Sequence, residues 1–283
     1  MQTKDALAKL EEGLAQLLSS TEWKTFLQAQ RYFHRYSFQN TLLIWAECPH
    51  ATRVAGFQAW KQLGRVVQKG EKGIAILAPL IKKRSSDEES ALEDRDERER
   101  RILFGFRVVH VFDVSQTSGE QLPDVLVHRL TGEAESYAHL RAACPFPVTE
   151  VDAIDSAGGA NGAFYRLEQR IEIRRDLCEA HKAKTLVHEW AHGLLHGHGQ
   201  DGDRTLSPER RELEAESVAF VVCDALGLDT SGYSFGYLAH WNGEEAIERL
   251  RQSGPRIQQA AHRILDVLDG LRDAPAFPHD KSA

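Results

Sequence analysis

The chain has 283 residues, 42% of them hydrophobic and 27% charged, an ordinary balance for a globular protein with room for one large domain or two of usual size. No uncharged apolar run approaches the roughly 18 residues of a membrane span, which argues against a role in the bilayer. The four cysteines (Cys48, Cys144, Cys178, Cys223) form no C-x-x-C pair, so a disulfide framework and a cysteine-rich zinc module are both disfavoured and a reducing cytoplasm is expected.

From the start, Leu7, Leu10, Leu14, Leu17 and Leu18 recur at helical spacing, giving a charged amphipathic helix rather than a secretory signal. A second helix is expected from Thr21 through "RYFHRYS" towards Ser37, and a third over "NTLLIWAE". "RVVQKGEKGIAILAPLI" reads as two short strands around a Gly-Glu-Lys-Gly turn, and "ILFGFRVVHVFDVSQT" as a longer strand rich in β-branched and aromatic residues. Between them, residues 84–101 hold almost nothing apolar and read as a solvated, disordered loop. The turn residues of "SGEQLPD" place a domain boundary near 122. Beyond it come a helix over Ser136–Ala143, then a hairpin-like pair, "AFYRLE" and "RIEIRR", turning at Glu168 and Gln169. Helices are expected at Glu179–Leu195 and Glu209–Leu226, followed by two more that break at Gly254-Pro255. The second domain then spans 123–272 and leaves a disordered tail, 273–283. The fold class is α+β: an N-terminal α/β domain followed by a mainly helical domain with a small sheet.

The net charge of −7 hides an asymmetry. Gln28–Arg84 holds ten Lys or Arg against two acids, a local excess of +8, so the remainder carries −15. Seven aromatics are interleaved with these cations: Tyr32, Phe33, Tyr36, Phe38, Trp45, Phe57 and Trp60. Cations that track phosphates and rings that stack on unpaired bases are the means by which single-stranded nucleic acid is held. Core packing is the competing use of the same rings. Arg31 and Arg35 share one helical face, Tyr32 and Tyr36 the next, while Arg65, Lys69 and Lys72 flank the expected turn.

In "KTLVHEWAHGLLHGHG", His188-Glu189-Trp190-Ala191-His192 matches H-E-x-x-H. On a helix, positions i and i+4 share a face, so both imidazoles can reach one Zn²⁺ while Glu189 stands ready to take a proton from the attacking water. A metzincin continuation fails twice: Leu195 stands where its glycine belongs, and the only methionine is Met1, which rules out a Met-turn. His196 lies a turn further along the same face, and three ligands in line on one helix cannot close a tetrahedron. His196 and His198 are therefore read as bystanders. The third ligand is expected from "RRELEAESVAFVVCDALGL", where Glu212 stands twenty residues after His192. Glu212 shares a stripe with Ala215, Ala219, Val222 and Leu226, which would point it to the core. That helix is apolar almost all round, so Glu216 ranks second and Glu214 third. A buried carboxylate is costly without a partner, so at least one of these acids should meet a metal or a cation. Tyr233, Tyr237 or His240 could donate to an oxyanion, Tyr237 first among them, and "RIEIRR" offers an edge for an added peptide strand.

"NTLLIWAECPHATRVAGFQAWKQLGRVVQKGEKGIAILAP", followed by "VVHVFDVSQT", resembles the N-terminal single-stranded-DNA-binding domain of ArdC-like antirestriction proteins. The C-terminal "VHEWAHGLLH…RELEAESVAFVVCDALGL" is similar to the zincin metallopeptidase domain of the same family, and more loosely to ImmA/IrrE-type peptidases. The resemblance implies single-stranded DNA as a partner, contacted by residues such as Arg31, Tyr32, Arg35, Tyr36, Asn40, Arg53, Arg65, Lys69 and Lys72. It also implies a Zn²⁺ site, a protein substrate, and protection of a mobile element against restriction. Two alternatives stand beside that reading. One is a regulatory zinc endopeptidase cleaving a repressor or a DNA-bound protein; the other is a DNA-binding protein whose zinc is purely structural.

Overall fold

The computed structural model describes residues 3–33, 36–83, 101–122, 133–154, 159–197, 206–233, 235, 238 and 243–270. Of the charged segment 84–101 and the tail 273–283, both expected to be disordered, all but Arg101 lie outside the described residues; Arg101 begins a strand. In chain order the first elements are α1 (Thr3–Gln16), α2 (Ser20–Gln30), α3 (Phe38–Glu47), β1 (Val54–Gly56), α4 (Phe57–Gln62) and β2 (Arg65–Val67). Next come β3 (Ile74–Lys83), β4 (Arg101–Asp113), β5 (Thr117–Gly119), α5 (Glu133–Ala143), β6 (Val148–Val151), β7 (Gly162–Tyr165) and β8 (Arg170–Arg174). Three helices close the series: α6 (Glu179–His196), α7 (Pro208–Ala225) and α8 (Gly243–Gly270). This is the expected α+β class. Two compact units result, one built on Met1–Gly13 and Gln39–Gln121, the other on Leu14–Phe38 and Leu122–Ala276.

In the first unit β4 is the spine, pairing antiparallel with β1 on one side and β3 on the other. The other edge of β3 is occupied by side chains of α3. Asn40 accepts from the Leu77 amide and donates to its carbonyl, both at 2.9 Å, and Glu47 accepts from the Ala75 amide at 3.3 Å. A carboxamide can donate and accept at once, as a peptide group does, so Asn40 stands in for a strand residue and blunts an open edge. The expected β2–β3 hairpin does not form: β2 pairs with β5 instead. Gly119 makes this possible, because at φ 139° it passes so close that a Cβ would sit 2.3 Å from the Gly64 carbonyl oxygen. Asp113, buried at the end of β4, directs the chain into β5. Its carboxylate accepts from the amides of Thr52, Arg53 and Ser115 at 2.9–3.1 Å.

In the second unit α6 packs on α5, α7 and a three-stranded sheet of order β6-β8-β7. Trp23, fully buried, donates to Ser217 at 3.0 Å and ties α2 to α7. The expected break at Gly254-Pro255 is absent, since α8 runs through both residues. An interior proline costs about 3 kcal/mol. The buried face of α8 (Leu250, Ile257, Ile264, Leu265, Leu268) outweighs this, at roughly 1.5–3 kcal/mol per side chain. Gly254 is needed at the break that does not occur: a Cβ there would lie 2.3 Å from the Phe38 ring.

Asp113→Ala leaves three amides without their acceptor, and hydrogen bonds to a charged group are worth about 1.5–3 kcal/mol each before water recovers part. A loss of about 2–4 kcal/mol is expected in urea unfolding of the full chain. A change within 0.5 kcal/mol, the usual range of surface substitutions, would show that Asp113 does not organise this corner.

Candidate metal centre

Helix α6 is framed by buried Ala183, Leu186, Val187, Trp190, Ala191 and Leu195, and that frame fixes which way its polar face looks. On that face the His188 and His192 rings stand 4.7 Å apart, with their Nε2 atoms 3.0 Å from each other. Helix α7 is started by Ser207, whose hydroxyl caps the Arg210 amide, and by Pro208 in the first turn. One turn on, Glu212 reaches His188 Nε2 at 3.4 Å and His192 Nε2 at 3.5 Å. The carboxylate straddles the two rings, Oε2 towards His188 and Oε1 towards His192, and one ligand atom from each of the three residues lies within 4.8 Å of the other two. Ligands about 2.0–2.1 Å from a tetrahedral ion stand about 3.3 Å apart, so two imidazoles and a carboxylate here fit a divalent cation with a position left open. Among the described residues, no other group of His, Cys, Asp or Glu is as compact as this one.

The three acids of α7 separate cleanly. Glu212 is half-buried at the rim, with 46% of its side chain exposed, rather than turned to the core as its stripe suggested. Glu216 is half-buried and outside the trio. Glu214 is the one with no exposure. It receives His196 at 3.1 Å, Ser253 at 2.6 Å, Arg256 at 3.2 Å and Arg210 at 3.3 Å. The cation expected beside a buried acid is thus present twice over, and His196 is no bystander. The one-turn spacing of His188, His192 and His196 is the sequence signal for this arrangement.

Glu189 is buried beneath β7. Burial raises its carboxyl above the usual range, against the pull of His188 and His192 and of a backbone hydrogen bond at Phe164. Tyr233 donates into the interior, to Cys223 Sγ at 3.6 Å, and burial pushes its hydroxyl far up. Tyr237, His240 and His198 lie outside the described residues. "RIEIRR" forms β8, the middle strand of its sheet, so it offers no edge; the edges are β6 and β7.

The candidate DNA contacts fall into groups. Arg31 is paired with Asp224 at 2.7 Å and stacks over the Tyr32 ring at 4.5 Å, both within the second unit. Asn40 is engaged with β3, as described, and Arg65 clamps β5 through Thr117 and the Glu120 carbonyl. Tyr36 is half-exposed against Phe33, and Arg53 is half-exposed. Lys69 and Lys72 face solvent. Arg35 lies outside the described residues. Phe38, Trp45 and Trp60 are core, whereas Phe57, Phe104 and Phe106 are about half exposed or more. The last two lie beyond the basic block and were missed in it.

Residues 2–112 match the family model of the N-terminal domain of anti-restriction factor ArdC. Those residues form an ArdC-like N-terminal domain. The backbone of the chain is similar to the crystal structures of the antirestriction protein ArdC from plasmid R388. For the metal-free form the TM-score is 0.51 at 18% identity, over 83% of this chain and 86% of that one. For the Mn(II)-bound form it is 0.54 at 18%, over 92% and 97%. An uncharacterised protein of Bacillus anthracis is 26% identical across 95% of the chain, which spans about half (51%) of that relative.

In the chain without metal, hydrogen bonds from His188 and His192 hold the Glu212 carboxyl well below its ordinary 4.5. Burial is the largest influence on His188 and opposes its charge, but Glu212, Glu189 and Glu216 together outweigh it and hold the imidazole above its ordinary 6.5. The Glu212 shift stabilises the fold above pH 4.5 and is lost as pH falls through its lowered value. The His188 shift stabilises below pH 6.5 and is lost as pH rises through its raised value. The gap in thermal midpoint between metal-free wild type and Glu212→Gln should therefore peak between pH 4.5 and 6.5. A gap that stays flat across and beyond that window would show the pair to be uncoupled.

Proposed function

We propose that the chain is an antirestriction protein that binds single-stranded DNA through its N-terminal domain and carries a zinc-dependent peptidase centre. The observation that carries the second half is the His188–His192–Glu212 cluster with Glu189 buried beside it and an edge strand, β7, alongside. The likeness to a structure that holds Mn(II) supports a divalent ion, and two histidines with one glutamate suit zinc. When bound, the ion would polarise a scissile carbonyl and make water a better nucleophile at neutral pH. Glu189 would take the proton of the attacking water and deliver it to the leaving amine. Strand β7 would seat an extended peptide by backbone pairing along its outer edge, away from β8. The described helices include none long and apolar enough to cross a membrane.

For the first half, the support is the +8 block with Lys69 and Lys72 in solvent, and the exposed rings of Phe57, Phe104 and Phe106. Single strands lose about 0.7 of salt slope per phosphate contact removed. Replacing both lysines by alanine should lower affinity for a labelled oligonucleotide and flatten log K against log salt by about 1.4 in fluorescence anisotropy. An unchanged slope would place the DNA elsewhere.

Glu189→Gln separates the two halves. Zinc and DNA binding should persist while hydrolysis of a partner protein falls by about 10²–10⁴. Undiminished cleavage would remove Glu189 as the base. Glu212→Gln should weaken zinc more than about 100-fold in calorimetry, beyond the range of outer hydrogen-bond partners, and Glu216→Gln should stay within a few fold of wild type. Calorimetry with the two substitutions giving the reverse order would transfer the ligand role to Glu216.

A further inference from the structure

We infer that His196 and Glu214 form a relay that fixes the ring orientation and tautomer of His192, turning its Nε2 lone pair to the ion; the inference rests on the metal-centre reading. His192 uses Nε2 towards His188 and Glu212, which leaves Nδ1 on the far side of the ring. That atom meets His196 Nδ1 at 3.0 Å, and His196 Nε2 meets Glu214 Oε2 at 3.1 Å. His196 is 3% exposed and Glu214 is fully buried, so water does not compete for these contacts.

The direction of each hydrogen bond follows from what its ends can do. An ionised carboxylate only accepts, so His196 presents an N–H at Nε2 to Glu214. A neutral imidazole with its proton on Nε2 has an acceptor at Nδ1. The Nδ1–Nδ1 contact needs one donor, and His192 must supply it. With its single proton on Nδ1, His192 is left with a lone pair on Nε2, the atom at the cluster. Glu214 does not depend on His196 for charge, because Arg210 and Arg256 already face it at 3.3 and 3.2 Å. Ser253 holds the other carboxylate oxygen at 2.6 Å, which stops the group from turning. The third imidazole of the α6 stripe, badly placed to be a ligand, is well placed to stand behind one. His196 and Glu214 are positioning residues: neither touches the ion or a substrate, and both act through His192.

Two measurements on the full chain test this. In the ¹⁵N histidine spectrum of the zinc-loaded protein, the His196 signal is identified by its absence in His196→Phe. It should show the proton on Nε2; a proton on Nδ1 overturns the relay without any variant having to fold. Zinc affinity, read by chelator competition, should fall about 10–100-fold in His196→Phe and Glu214→Gln. The thermal midpoint of each metal-free variant shows whether the fold survived. Glu214→Gln disturbs a buried network, so His196→Phe, which keeps an aromatic ring in place, decides the matter if the other unfolds. Wild-type affinity in a folded variant overturns the relay and leaves the centre standing. A wild-type protein that takes up no zinc removes the centre and the relay together.

Discussion

Glu214 is an ionised group without solvent, and much of the second unit is arranged around its needs. Its oxygens accept from α6 through His196, from α7 through Arg210, and from α8 through Ser253 and Arg256. Removing one partner of such a buried pair typically costs about 3–5 kcal/mol, a large share of the 5–15 kcal/mol by which a domain is stable at all. Three helices are therefore held in one register. Arg256 adds a second tie by donating to the Leu195 carbonyl in the last turn of α6, a group the helix itself leaves unsatisfied. That register brings Glu212, two residues from Glu214 on α7, over His188 and His192. The His188–His192–Glu212 cluster follows from a carboxylate that takes no part in it.

The same network explains why α8 is continuous. Gly254-Pro255 looks like a stop in any single-sequence reading, because proline removes a backbone donor and crowds the preceding turn. Ser253 and Arg256, on either side of it, are both bound to Glu214, and Gly254 admits the Phe38 ring. Tertiary contacts outweigh the local preference at this point. No spacing rule applied to the segment by itself could have shown it.

What was legible in the residues was local. The i, i+4 histidines, the serine and proline that start α7, and the valine-rich β4 each announce themselves within one element. The twenty-residue interval to Glu212 supplied the one long-range contact that could be read. What failed needed a partner from elsewhere in the chain. β2 was paired with its sequence neighbour because nothing near it points to β5, which becomes reachable only through the turn at Asp113 and the close pass at Gly119. His196 was set aside because it was tested only as a ligand, and its true partner is eighteen residues away on another helix. Charge counting had a similar limit. A local excess of +8 does not say which cations are free, and Arg31 and Arg65 are engaged within the protein.

Under the peptidase reading, Glu189 and β7 behave as one device. Burial raises the Glu189 carboxyl, whereas a divalent ion held by His188, His192 and Glu212 would favour its ionised form, and the two effects would oppose each other. A general base works best when its affinity for protons lies near the operating pH, and such opposition is a means of reaching that range with a glutamate. The burial depends on how closely β7 lies on α6, and that depends on Gly162. A Cβ at this position would stand 2.5 Å from Thr185 Cγ2 and 3.1 Å from Glu189 Cγ. The missing side chain lets the strand that would seat a peptide also cover the base that would serve it, so a peptide added to the outer edge of β7 would be brought alongside Glu189 by the fold itself.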